Sequence, residues 1–235
     1  SIISKELDMR WFNLSFNLLD KSNEYVDKTT EISLKILNLY QNSFINFIVA
    51  RGYINNYAVL QSSRLIKSIS KLSKNGIDNF RFGISLNVNP NTPFFPFSYS
   101  DSNDSFSLAI ETTKKINSII ENKFDGDYVK LKEEIIDGIA TNLLLFDNLS
   151  KQLSNELKIK YNGQDISLSP YPDENISVIE TLNLLGIDSF GSNGTQFLTS
   201  YLTSILKDAI NTIKIKAVGF NGVMYSMLED KLMCK

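Results

Sequence analysis

The sequence predicts an α/β fold, a single domain over residues 1–235, in which strands and helices alternate around a largely parallel sheet. Two observations predict it. Apolar residues recur at period two in some segments and every three or four residues in the segments between them, the patterns of strands and helices. In addition, 43% of the 235 residues are apolar and 11% are aromatic, which is enough to bury a core.

The elements follow in order. Phe12, Leu14, Phe16 and Leu18 alternate within residues 10–18 as a strand does. Residues 26–40 carry Ile32, Ile36, Leu37, Leu39 and Tyr40 in a helical stripe, and the apolar run at 43–50 predicts a buried strand. Leu65, Ile66, Ile69 and Leu72 give a helix over 57–74, which Asn75-Gly76 ends as a C-cap would. Phe80, Phe82, Ile84, Leu86 and Val88 take every second place and form the cleanest strand. A loop rich in Pro, Asn and Ser follows over 89–104, then a strand at 106–111 and a helix at 112–122.

From Tyr128 onward Leu131, Ile135, Ile139, Leu143, Phe146, Leu149, Leu153 and Leu157 recur at helical spacing. They predict one helix of nearly thirty residues, about 40 Å long at ~1.5 Å per residue. Asn162-Gly163 reads as the turn after it, followed by a strand at 165–169, helices at 176–185 and 195–213, and a last strand at 223–228. The prolines fall in two clusters, Pro90, Pro93 and Pro96, then Pro170 and Pro172, each directly after a strand.

Composition excludes several chemistries. The chain has no histidine, so it has no Ser-His-Asp triad, no His-ligated zinc or iron and no imidazole base. Its one cysteine, Cys234, cannot form an intrachain disulfide or a Cys-rich cluster. No haem, zinc or iron–sulfur group is expected. A net charge of −2 and a pI near 5.3 leave no electrostatic footprint for DNA or RNA. No apolar run approaches the ~20 residues of a membrane span, and no charged-then-apolar leader is visible. A cytoplasmic protein without nucleic-acid or membrane partners is the expectation.

The second face of the strands points to a site. Opposite the apolar residues lie Asn13, Ser15 and Asn17, then Ser85 and Asn87, then Ser107, Ala109 and Glu111, then Asp165, Ser167 and Ser169. Parallel sheets normally bury both faces in Val, Ile and Leu. A face of Asn and Ser, where the solvent faces of this chain carry Lys and Glu, points to a barrel or deeply curved sheet with a polar interior, where ligands bind, the alternative being a sheet with that face open to solvent.

Three further features add candidates. The loop from Asn87 to Tyr99 combines rigid prolines with Asn89 and Thr92, short donors and acceptors suited to the rim of a pocket, or is an Ω-like loop whose Phe94, Phe95 and Phe97 only cap the core. Gly191-Ser192-Asn193-Gly194-Thr195 stands before a helix, where backbone N–H groups can hold an anion, or where the run is only a turn and an N-cap. Asp165, Asp173, Glu174, Glu229 and Asp230 lie at or just past strand ends, as acid–base groups, ligands for a hard cation such as Mg²⁺ or Ca²⁺, or caps. No metal site is assigned.

The runs Asn91-Thr92-Pro93-Phe94-Phe95-Pro96, Asp165-Ile-Ser-Leu-Ser-Pro-Tyr-Pro-Asp173, Phe190-Gly-Ser-Asn-Gly-Thr195 and Gly219-Phe-Asn-Gly-Val-Met224, with Leu228-Glu229-Asp230 after the last, resemble successive motifs of one family. It is the uncharacterised family known as domain of unknown function 711, or uncharacterised protein family 0210. The opening Asp8-Met-Arg-Trp-Phe-Asn-Leu-Ser-Phe-Asn-Leu-Leu-Asp20 resembles that family's first strand. The resemblance implies an α/β barrel, or part of one, like that of anaerobic ribonucleotide reductases and pyruvate formate-lyase, and a homodimer. It implies no activity. The chain is shorter than the family pattern, lacking a long segment between the second strand and the helix at 57–74, and it stops soon after Asp230. Glycyl radical chemistry is excluded, because Ala217-Val218-Gly219-Phe220 lacks the required arginine and Cys234 is terminal.

Together these readings give a small-molecule-binding protein with a polar site in the barrel interior and at the strand ends. The residues leave open whether it is an enzyme. The candidate site residues are Asn87, Asn89, Thr92, Tyr99, Glu111, Asp165, Asp173, Gly194, Thr195, Glu229 and Asp230. The alternative is a non-catalytic dimeric or assembly scaffold. Leu144, Leu145 and Phe146 exceed what one core face needs, which predicts burial of part of the long helix against a second copy.

Overall fold

A computed structural model describes residues 11–90, 92–94, 97–99, 104–171, 176–227 and 229–233. The chain divides into two compact units, Ser1–Ser102 and Asn103–Lys235.

In the first unit, β1 (Phe12–Asn17), α1 (Asn23–Leu39), β2 (Ser43–Ala50), α2 (Asn56–Ile69), a 3₁₀ segment (Lys74–Arg81) and β3 (Phe82–Leu86) follow one another. The strands form one parallel sheet in the order β1-β2-β3. β2 lies between the other two and is buried along its whole length, which is why it reads as an apolar run, interrupted by Asn46. Ile45, Phe47 and Val49 on one face of β2 join Val26, Leu37, Ala58, Leu65, Ile69 and Phe82 in a core beneath the helices. Asn55 fixes the start of α2: its Oδ1 accepts from the Ala58 N–H at 3.0 Å, and its Nδ2 donates to the Leu18 carbonyl at 2.6 Å.

Arg81, 1% exposed, closes the other end of α1. Its guanidinium donates to Leu37 O at 2.8 Å, Tyr40 O at 3.0 Å and Ser43 O at 3.4 Å, and it pairs with Asp78 Oδ1 at 2.7 Å. One cation thereby satisfies the Leu37 and Tyr40 carbonyls at a helix C-terminus and reaches Ser43 O at the start of β2. Phe80 and Arg81 therefore end the 3₁₀ segment, and the strand predicted from residue 80 starts at Phe82.

The second unit holds β4 (Ser105–Ala109), α3 (Thr113–Lys123), α4 (Tyr128–Leu157), β5 (Lys160–Asp165), α5 (Val178–Leu184) and α6 (Thr195–Ile213). β4 and β5 form a two-stranded parallel sheet. Ile116, Ile120, Leu131, Ile135, Ile139, Leu143, Leu182, Leu198, Leu202 and Leu206 from the helices make its core with Ile166 and Leu168. The predicted turn at 162–163 lies inside β5. Phe106 pairs with Tyr161 and Ser107 with Gly163, so Asn162 is the extra residue of a bulge. The predicted strands at 165–169 and 223–228 reduce to one isolated bridge, Leu168 to Val223, once β5 has ended at Asp165.

The barrel expectation is corrected. The described residues form parallel sheets of three and two strands and no closed barrel, so likeness to the ribonucleotide reductase and pyruvate formate-lyase barrel is not shown. A barrel whose interior holds side chains or one small ligand takes ~8 strands. Here Asn13, Ser15, Asn87 and Asp165, among the polar residues that suggested a lumen, bond instead to the chain's own loops. No helix among the described residues is long and apolar enough to cross a membrane.

Candidate functional site

The face of the first unit's sheet opposite the helices is polar at its centre and aromatic at one end. Register places Ser15 beside Asn46 and Asn46 beside Gly83, all on this face. Trp11 stacks on Phe44 at 4.6 Å, and Phe80 and Phe97 meet Phe44 edge-on at 5.5 and 5.8 Å. The segment 97–99 crosses above. Its Ser98 carbonyl accepts from Asn13 Nδ2 at 2.7 Å and from the Ser15 hydroxyl. The Phe97 ring lies over Gly83, where a Cβ would stand 2.8 Å from ring carbons. Phe94 and Phe97 exchange backbone hydrogen bonds at 2.7 and 2.6 Å, and the Tyr99 hydroxyl donates to Val88 O at 2.5 Å, so the segment is pinned at both ends.

Between this segment and the sheet is a pocket of about 280 Å³, lined by Asn46, Gly83, Ile84, Ser85, Val88, Thr92, Phe94, Phe97, Ser98 and Tyr99. Its floor is a short hydrogen-bond chain. Asn46, 1% exposed, donates through Nδ2 to Ser15 Oγ at 3.5 Å, and its Oδ1 accepts from Ser85 Oγ at 3.0 Å. The Ser15 proton is committed to Ser98 O, so Ser15 can only accept from Asn46, which fixes the amide's orientation. The second Nδ2–H of Asn46 and the lone pairs of Ser85 Oγ have no partner among the described residues. The buried Oδ1 of Asn13 is likewise unpaired.

Of the predicted site residues, Thr92 and Tyr99 line this pocket. Asn87 ends β3 with φ 55°; its Oδ1 accepts from Gly52 N at 2.9 Å, which ties that end to the chain beyond β2. Asn89 and Glu111 are exposed. Asp173 lies outside the described residues, as do Glu174 and Cys234.

Asp165 and Asp230 are buried, and their oxygens are engaged by the protein itself. Asp165 Oδ1 accepts from Ser167 N at 2.9 Å, Ser167 Oγ at 2.5 Å and Asn221 N at 3.3 Å, and Oδ2 accepts from Phe220 N at 2.8 Å. Gly219, at φ 86°, passes so close that a Cβ there would stand 2.2 Å from Oδ2. The runs beginning at 165 and 219 thus interlock through one carboxylate. Asp230 accepts from Ser177 Oγ at 2.6 Å and from Val178 N at 2.7 Å, Ile179 N at 3.3 Å and Leu232 N at 3.0 Å, which caps α5 from a distant part of the chain.

Glu229 has no such donor set; burial pushes its carboxyl above the ordinary range, with a Ser226 hydrogen bond opposing. Among the described residues no group of three or more Cys, Asp or Glu is placed to hold a metal ion.

Gly194 is the N-cap of α6, at φ 95°. The Thr195 hydroxyl donates to Ser192 O at 2.8 Å and accepts from Gly191 N at 3.2 Å, while Thr195 N donates to Ser192 O at 3.1 Å. These donors close the Gly-Ser-Asn-Gly-Thr turn on itself rather than aim at an anion. Sequence reasoning missed Asn46, and the available signal was an amide in the middle of an otherwise apolar strand.

The family model described as Uncharacterised ACR (DUF711) matches residues 4–235. A UPF0210 protein of Pyrobaculum arsenaticum is 22% identical over 195 residues, which are 82% of this chain and 42% of that protein. One from Methanocaldococcus jannaschii is 21% identical, covering 81% of this chain and 42% of its own length. One from Neisseria gonorrhoeae is 22% identical over 221 residues, 92% of this chain and 48% of its own. This chain spans less than half the length of these relatives. With nearly all of its residues matched by the family, the chain belongs to the uncharacterised DUF711 (UPF0210) family.

Proposed function

We propose that the chain is a small-molecule-binding protein whose site is the pocket between the polar sheet face and residues 92–94 and 97–99. The observation that carries this reading is Asn46. Its side chain is buried in the central strand and lines the pocket, yet one of its two amide N–H donors has no partner among the described residues. Burying a polar group without a partner costs free energy, so such a group is kept where a ligand or water completes it. A cytoplasmic setting is part of the same proposal. Screening uncharged fragments by saturation-transfer NMR tests it. Binders should be lost on Asn46→Leu with the fold retained, and binders indifferent to that change would place the site elsewhere.

A second reading rests on α4. Leu145, Leu149, Leu153 and Leu157 stand four residues apart, each 43–56% exposed, and Phe146 beside them is 39% exposed. An apolar ladder of this kind suits packing against another helix, and a second copy is the occupant we propose for it. Sedimentation of the intact chain should show a dimer that Leu149→Lys with Leu153→Lys dissociates. A monomer at micromolar concentration would end this reading.

A further inference from the structure

Taking the pocket as a ligand site, we propose that its ligand is an uncharged planar ring carrying a cis-amide edge, with a C=O and an N–H side by side, as in a lactam or cyclic imide. The floor dictates the edge. Both Ser85 and Asn46 line the pocket; Ser85 Oγ spends its proton on Asn46 Oδ1 at 3.0 Å and so has only acceptor lone pairs left to offer, while Asn46 keeps a second N–H as a donor. A donor and an acceptor a few ångströms apart complement a ligand C=O and its neighbouring N–H.

The walls dictate the ring. Phe97 packs on Gly83 and lines the pocket with Phe94, and aromatic faces favour a flat partner. Size and charge agree. About 280 Å³ falls just below the ~300 Å³ at which ligand pockets begin, which leaves room for one small ring. The described lining residues carry no formal charge, so an ionised ligand would leave water without a counter-charge.

Four probes separate the possibilities: uracil, its 1,3-dimethyl derivative, its carboxylate orotate, and glucose. Binding to the intact chain is read by saturation-transfer NMR. Location is read by emission of the one tryptophan, Trp11, which stacks on Phe44 and through it senses Phe97. Uracil should bind on the order of tenfold or more tightly than the dimethyl compound, since a site built to hydrogen-bond a group rejects an analogue that lacks it, and more tightly than orotate, whose carboxylate would leave water without a counter-charge. Ser85→Ala and Asn46→Ala should each weaken uracil binding several-fold, with urea unfolding as the check that each variant is folded. Equal binding of the dimethyl compound, or preference for orotate or glucose, with Trp11 responding, overturns the cis-amide class and leaves the pocket a ligand site. No binding by any probe, with Trp11 silent in the folded protein, overturns both this inference and the reading beneath it.

Discussion

Replacing Gly83 by alanine perturbs the candidate site through a single methyl group. That methyl would stand 2.8 Å from Cγ and Cδ1 of Phe97 and 2.9 Å from Cε1. Ordinary carbon–carbon contact is ~3.5–4.0 Å, so the ring must retreat by about 1 Å. It cannot do so alone, because Phe97 sits edge-on to Phe44 at 5.8 Å and its backbone is bonded to Phe94 at 2.6 Å. Overpacking of this kind costs about 1–3 kcal/mol. At an m-value of ~1–3 kcal/mol/M, the urea midpoint should fall by about 1 M. Trp11 emission should shift at the same time, since Trp11 stacks on Phe44 at 4.6 Å. Gly83→Ala with the parent midpoint and unchanged emission would refute the claim that Phe97 packs down on the sheet.

Other substitutions test the clamps. Arg81→Ala leaves the Asp78 carboxylate unpaired and removes the donor from Leu37, Tyr40 and Ser43 carbonyls, so it should cost about 3–5 kcal/mol in chemical denaturation; a loss under ~1 kcal/mol would contradict the buried cap. Asp230→Ala strips acceptors from Ser177, Val178, Ile179 and Leu232 and should cost about 2–3 kcal/mol, with Asp230→Asn losing less; equal midpoints for the two variants would argue against the capping role. Glu229 has its folded-state pKa raised by burial, so the folded chain holds this proton more tightly than the unfolded one, and stability is lost as pH rises through the raised value. Glu229→Gln should therefore stabilise at pH 7, the gain vanishing below the ordinary glutamate range, and a loss at pH 7 would instead mean the carboxylate is paired.

Helices whose apolar period is uninterrupted were fully legible. The spacing from Leu131 to Leu157 predicts the 128–157 helix, and α6 matches its predicted 195–213 span. Legibility failed where tertiary contacts override a local signal. Asn162-Gly163 has the chemistry of a turn, but β4 pairing carries the chain straight through it and Asn162 bulges out. The alternation beginning at Phe80 is genuine, yet Arg81 is drawn away to the end of α1, so the strand starts two residues later. The polar strand residues were legible as a face, and Ser85, Thr92 and Tyr99 do meet at the pocket. What the residues could not disclose was their partners. Ser98 covers Asn13 and Ser15, and Phe220 and Asn221 cover Asp165, contacts spanning 55 to 85 residues that no local pattern encodes.

The side-chain amide of Asn46 is the most direct reporter of the central claim. In heteronuclear NMR of the intact chain, its paired N–H signals should be slowly exchanging, as befits a 1% exposed residue in the central strand. Titration with a mixture of uncharged ring compounds should move those signals saturably, together with the backbone amides of Ser85, Thr92 and Tyr99, which line the same pocket. Saturable shifts confined to other parts of the chain, with the Asn46 amide unmoved, would contradict the assignment of this pocket as the binding site.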